Sequence, residues 1–176
     1  MKISIWGVNA ARGAPLAVAL RNYGRHSVVG WGTSARVFLD QHPDPEVQHL
    51  LGQPTPLPMA PKPLIALREG SDLAVVASFQ AASMLELIAV AARELDLRDV
   101  PVIVVTPHMP PIVPPNLLVG HAPFVYRPGW ALQRLLALPR IAVTVPDAET
   151  GRRLHNAVSD AWRWVSNYTK IEEIVH

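Results

Sequence analysis

The stretch Lys2-Ile3-Ser4-Ile5-Trp6-Gly7-Val8-Asn9-Ala10-Ala11-Arg12-Gly13-Ala14-Pro15 decides how this chain reads. Residues 2–6 alternate and then meet Gly7, the pattern of a strand running into a turn. Pro15 to Tyr23 reads as a helix. Pro15 suits its first turn, where a missing N–H costs nothing, and Gly24 is its expected C-terminal stop. Ser27-Val28-Val29-Gly30-Trp31 reads as the second strand. Strand, glycine turn, helix and strand fit within about 30 residues, the size of a βαβ unit.

Downstream the alternation continues. Ser34 to Gln41 and Pro43 to Gly52 read as short helical pieces. The proline-dense run 54–63 reads as an extended surface connection, because the residues that precede its prolines disfavour helix. Asp72 to Ser78 is expected as a buried strand and Ala82 to Leu95 as a well-buried helix. Val100 to Thr106 is the clearest central strand, with Pro101 tolerable near its start. A proline-rich loop follows over 107–115. Phe124 to Tyr126 reads as a short strand, Trp130 to Leu138 as a helix and Ile141 to Val145 as the last strand. Asp147 is placed to cap a final helix running toward Val175. This order predicts an α/β, Rossmann-like three-layer sandwich with a mainly parallel sheet, formed by residues 1–176 as one domain.

Composition supports that class. Of 176 residues, 49% are apolar and 17% charged, too apolar for disorder and suited to a sheet covered on both faces. No apolar stretch reaches the length of a bilayer-spanning helix, and the N-terminus lacks the pattern of a signal peptide, so a cytoplasmic location is expected. Cysteine is absent, which removes disulfides, thiolate catalysis and thiolate metal sites together. The formal charge is +2. The basic residues are scattered, which argues against nucleic acid as a partner.

The turn itself has a specific physical meaning. Phosphate reaches the backbone N–H groups at a helix N-terminus only where no side chain stands in front of them. Glycines permit both the tight turn and the close approach. The spacing G-x-G-x-x-G is not met, since Asn9 occupies the second glycine position. G-x-x-G-x-x-G fits better, with Gly7 and Gly13 at its ends and Ala10 in the middle. Lys2 to Arg36 resembles the opening of atypical short-chain dehydrogenase/reductase proteins, especially the NmrA-like branch. Leu85 to Thr106 is similar to the helix and strand that end at that family's active-site edge. Phe124-Val125-Tyr126-Arg127-Pro128-Gly129-Trp130 is similar to its strand ending in Arg-Pro-Gly.

The resemblance implies a bound NAD or NADP with its pyrophosphate over Gly7 to Gly13, held by Gly7, Asn9, Arg12 and Gly13. NAD-preferring folds place an acid after the second strand to hold the ribose hydroxyls. Here the sequence is Gly32-Thr33-Ser34-Ala35-Arg36, without an acid. Ser34 and Arg36 suit a 2′-phosphate, which points to NADP. The alternative is that Ser34 caps a short helix and Arg36 is solvated. Ser78, Thr106 and His108 end strands on the same edge and would face the nicotinamide end. The family's Tyr-x-x-x-Lys is absent. Tyr126 is the only tyrosine between Thr106 and Tyr126, no lysine lies there, and Tyr168-Thr169-Lys170 has the wrong spacing. Ordinary carbonyl reduction by a cation-assisted phenol is therefore not supported.

The same residues bear on other chemistry. Val100 to Thr106 and Arg127-Pro128 also resemble a response-regulator receiver, but the strand ends lack the acids that phosphotransfer needs. A receiver-like or otherwise non-catalytic interaction module stays open, as does a nucleotide-sugar transferase-like domain. His108 and His121 lack a third ligand at metal-binding spacing, so no metal site is expected. Ser78 lacks the G-x-S-x-G elbow of a serine hydrolase. Leu154, Val158, Ala161, Val165, Tyr168 and Ile171 form an apolar stripe expected to pack on the sheet. Trp162 and Trp164 beside it also suit a homodimer contact.

Overall fold

A computed structural model describes residues 1–8, 13–32, 57–122, 143–165 and 173–174, of which residues 159–165 and 173–174 are described in backbone only. The expected helices near 34–52 and 130–138, the Phe124–Tyr126 strand, and the residues Asn9, Arg12, Ser34 and Arg36 lie outside the described residues, as do the side chains of Trp162 and Trp164.

Strand β1 (Lys2–Trp6) leads through Gly7 and Val8 toward helix α1 (Gly13–Val18), which widens into a π turn over Ala19–Tyr23. The wide turn is closed by the Gly24 N–H, which donates to the Ala19 carbonyl at 3.0 Å. Gly24 keeps a right-handed φ of −81°, and the left-handed residue that ends the helix is Arg25, at φ 55°. The helix stops at Gly24 as expected, and the left-handed turn falls on the residue after it. Strand β2 (Ser27–Trp31) then lies parallel to β1, with Trp6 opposite Trp31.

Helix α2 (Pro63–Glu69) was not expected from the sequence; it begins on a proline at its first turn. The chain continues through β3 (Leu73–Val76), α3 (Ala81–Glu94), β4 (Val100–Val104), β5 (Leu117–His121), β6 (Val143–Thr144), α4 (Ala148–Val165) and β7 (Glu173–Ile174). The sheet order is β2-β1-β3-β4-β5-β6-β7, parallel throughout except where β6 meets β5. The last helix thus does not run toward Val175, because residues 173–174 have joined the sheet.

The proline-dense run does more than connect. The Gly30 N–H donates to the Pro58 carbonyl at 2.8 Å, and the Ala60 N–H returns to the Gly30 carbonyl at 2.9 Å. Residues 57–60 therefore add a short parallel edge beyond β2. Proline fits an edge because it has no N–H to leave unpaired. Leu57 is buried there, and the Met59 sulfur covers Gly30.

The sheet is covered on both faces. Ile3, Ile5, Leu16, Leu20, Ile103, Leu154 and Val158 form one core under α1 and α4. Trp6, Leu67, Leu85, Ile88, Val102 and Val104 form the other under α2 and α3. Successive strand residues point to opposite faces, so a strand buried on both sides needs an unbroken apolar run. Leu73-Ala74-Val75-Val76 is such a run, and all four are buried. This is the three-layer Rossmann-like sandwich the alternation predicted. Helix α3 is less enclosed than expected: Ala82, Glu86, Val90 and Arg93 lie on an exposed face.

Among the described residues, Ser4 and Thr106 are buried polar side chains. The Trp6 indole Nε1–H donates to Ser4 Oγ at 2.9 Å, and the Ser4 hydroxyl donates to the Gly70 carbonyl at 3.0 Å. The chain of bonds ties β1 to the end of α2 and leaves neither buried donor unmet.

Candidate functional site

Successive strands leave β1 in opposite directions, with β2 on one side and β3 on the other. Ligands of open α/β sheets bind in the crevice at such a switch point, beyond the carboxyl ends of the strands. Gly7 stands there, at φ +82°, a backbone conformation that side chains disfavour. A Cβ on Gly7 would lie 2.8 Å from the Cβ of Ser78, so β1 and the end of β3 meet through the missing side chain. A Cβ on Gly13 would lie 2.5 Å from the Gly7 carbonyl oxygen and 2.7 Å from the Val8 Cα. Both glycines are thus required by geometry. Gly7 makes the turn, and Gly13 lets the first turn of α1 press on the strand that precedes it.

The amides at the start of the loop are already used. The Gly7 and Val8 N–H groups both donate to the Trp31 carbonyl, at 2.8 and 3.3 Å. Neither N–H is therefore free to meet an anion. The Trp31 ring lies 5.2 Å from the Trp6 ring and tilts 47° from it, which seats the end of β2 beside β1. Gly32, which carries no carboxylate, follows directly.

The other expected ligand-facing residues sit at neighbouring strand ends. Ser78 follows β3, and its Oγ accepts the Gln80 N–H at 3.1 Å, leaving its hydroxyl proton to donate elsewhere. Thr106 follows β4 and is buried; its hydroxyl donates to the His108 carbonyl at 2.7 Å. Thr106 can therefore offer a ligand only a lone pair. His108 is exposed. Thr106, Pro107, His108, Met109, Pro110 and Phe79 line a cleft of about 410 Å³, together with Ala82 at the start of α3. Ser78 is not part of that lining and belongs instead to the Gly7 side of the crevice. The cleft is apolar apart from the Thr106 hydroxyl and the His108 imidazole, the usual make-up of a small-molecule site.

Sequence reasoning missed the Trp31 carbonyl as the acceptor for two turn amides, and it did not find the strand that His121 ends. His121 ends β5 opposite Val104, and its Nε2 lies 2.7 Å from the Thr106 carbonyl. Among the described residues no cluster of three His, Asp or Glu side chains is placed to hold a metal, and no helix is long and apolar enough to cross a membrane.

The chain is similar to the GDP-mannose dehydrogenase of Pseudomonas aeruginosa, at 20% identity and a TM-score of 0.72, over 98% of this chain and 46% of that one. It is similar to a UDP-glucose dehydrogenase from Pyrobaculum islandicum, at 17% identity and a TM-score of 0.69, over 98% of this chain and 45% of that one. An imine reductase from Myxococcus stipitatus, solved in complex with NADP+, matches at 13% identity and a TM-score of 0.58, over 98% of this chain and 55% of that one. The chain has the Rossmann fold of these dehydrogenases and reductases. It spans about half of their length. No family model and no curated protein sequence matches it.

Proposed function

We propose that this chain is an NADP-binding Rossmann domain that resembles atypical reductases, acting either in a reductase with non-standard residues or as a redox-responsive binding protein. The observation that carries the reading is the paired absence of Cβ atoms at Gly7 and Gly13, at the switch point of the sheet. A turn of this shape brings a helix N-terminus to the crevice where a diphosphate is bound.

Roles follow from position. Asn9, Arg12 and the backbone up to Gly13 would hold the pyrophosphate. The missing acid at Gly32 removes the partner of unmodified ribose hydroxyls, and Ser34 and Arg36 would take the 2′-phosphate. Ser78, Thr106 and His108 would flank the nicotinamide end. The cofactor, when bound, supplies hydride. What this chain contributes is binding, orientation and a largely apolar wall; no described tyrosine and lysine pair is available to pass a proton.

A thermal-shift panel with NADP, NAD, a nucleotide sugar, ATP and flavin tests the proposal. At a hundredfold excess over Kd, a bound ligand should raise Tm by roughly 5–10 °C for a domain of this size. A rise with NADP exceeding that with NAD supports the reading. A rise with the nucleotide sugar alone favours the transferase-like alternative, and no rise with any ligand favours a non-catalytic module.

A further inference from the structure

The parallel ladder between β4 and β5 ends where the Ala122 N–H donates to the Val104 carbonyl at 2.9 Å. The Val105 N–H still donates to the Val76 carbonyl of β3 at 2.9 Å, and past it, among the described residues, the chain leaving β4 has no strand partner to fix its path. It turns at Thr106 and forms the wall of the cleft through Pro107, His108 and Met109. Two side-chain bonds hold this turn. His121 Nε2 lies 2.7 Å from the Thr106 carbonyl, and the Thr106 hydroxyl reaches the His108 carbonyl at the same 2.7 Å. A carbonyl oxygen cannot donate, so His121 Nε2 carries the proton in this bond. Pro107, Pro110 and Pro111 fix their own φ angles but lack N–H groups, so they stiffen the wall without anchoring it.

We infer that His121 is a positioning residue for the cleft: its Nε2–H sets the Thr106–Met109 wall against which the nicotinamide half of a dinucleotide lies. The inference rests on the NADP reading. His121 itself does not line the cleft, so it acts through Thr106 and not on the ligand. The adenosine half, bound beyond β1 and β2, is remote from this wall and should not sense the bond.

The test compares NADP with adenosine 2′,5′-bisphosphate, which carries the 2′-phosphate but no nicotinamide. Titration calorimetry on the wild type, His121→Ala and His121→Gln gives the affinities. Glutamine can place an amide N–H near the position of Nε2. His121→Ala should weaken NADP about tenfold while leaving the bisphosphate within about twofold, and His121→Gln should recover most of the loss. Amide exchange at His108 and Met109 should quicken in the alanine variant and slow again in the glutamine variant. If His121→Ala does not fold, Thr106→Val, which removes the second bond, should produce the same half-selective loss. Equal weakening of both ligands, no weakening of either, or no recovery with glutamine overturns the inference while the NADP reading stands. Failure of the wild type to bind either ligand overturns that reading and the inference with it.

Discussion

Gly13 faces the Gly7 carbonyl so closely that a Cβ at residue 13 would stand 2.5 Å from the oxygen. Backbone opposes the added carbon on both near contacts, since the Val8 Cα is 2.7 Å away. Neither can rotate aside as a side chain would. The glycine turn is thus a packing device in its own right, and any substitution at this position disturbs that packing.

Gly13→Ala should therefore cost stability as well as ligand binding. Overpacking of this kind costs about 1–3 kcal/mol, or a Tm lower by roughly 2–12 °C for a domain of this size. Calorimetric melting checks it. A Tm within about one degree of wild type would mean that α1 and β1 separate more easily than their contact implies.

The buried bonds from Trp6 through Ser4 to Gly70 predict a second cost. Ser4→Ala removes the acceptor of the indole N–H and the donor to the carbonyl together. Leaving a buried donor unmet costs about 1–3 kcal/mol. Urea unfolding followed by tryptophan emission should show that loss. A change below about 0.5 kcal/mol would show that another partner takes over.

Asp147 caps α4 as the sequence led one to expect. Its carboxylate accepts the Thr150 N–H and the Thr150 hydroxyl, both at 2.8 Å. Those two bonds, the backbone one first, hold its pKa below the ordinary aspartate value. A depressed folded pKa gives stability that is present above the unfolded value of about 3.9 and is lost as pH falls through the folded value. Asp147→Asn keeps a capping oxygen but does not titrate. The Tm difference between wild type and Asp147→Asn should accordingly shrink as pH falls from about 5 toward about 2.5. Parallel melting curves across that range would assign the cap no charge-dependent part.

Much of the fold was legible because burial on both faces writes itself as apolar runs. β1 and β2 match the sequence reading residue for residue, and α3 differs by one residue at each end. The losses have physical causes. α2 was hidden because Pro63 looks like the end of a proline-dense connection, whereas it opens a helix as residue N1. β5 was hidden by Gly120, a poor strand former by propensity. Its place is set by tertiary packing: a Cβ there would lie 2.4 Å from Val143 Cγ1 and 2.5 Å from Leu154 Cδ2.

The site was legible in part. Gly7, Gly13, Ser78, Thr106 and His108 stand at the expected edge, because strand ends and turns are local features of sequence. The hydrogen bonds of Thr106 and His121 were not legible, because they join residues that only the pairing of β4 with β5 brings together. The Trp31 carbonyl was missed for the same reason: which strand lies beside β1 is a property of the whole sheet.

The most direct test of the central claim is an amide-resolved NMR titration of the 19.2 kDa chain with NADP. The account predicts saturable shifts at the amides of Asn9 to Gly13, with a second group at Thr106, His108 and Met109. Shifts confined to other surfaces, or none at millimolar NADP, would contradict it.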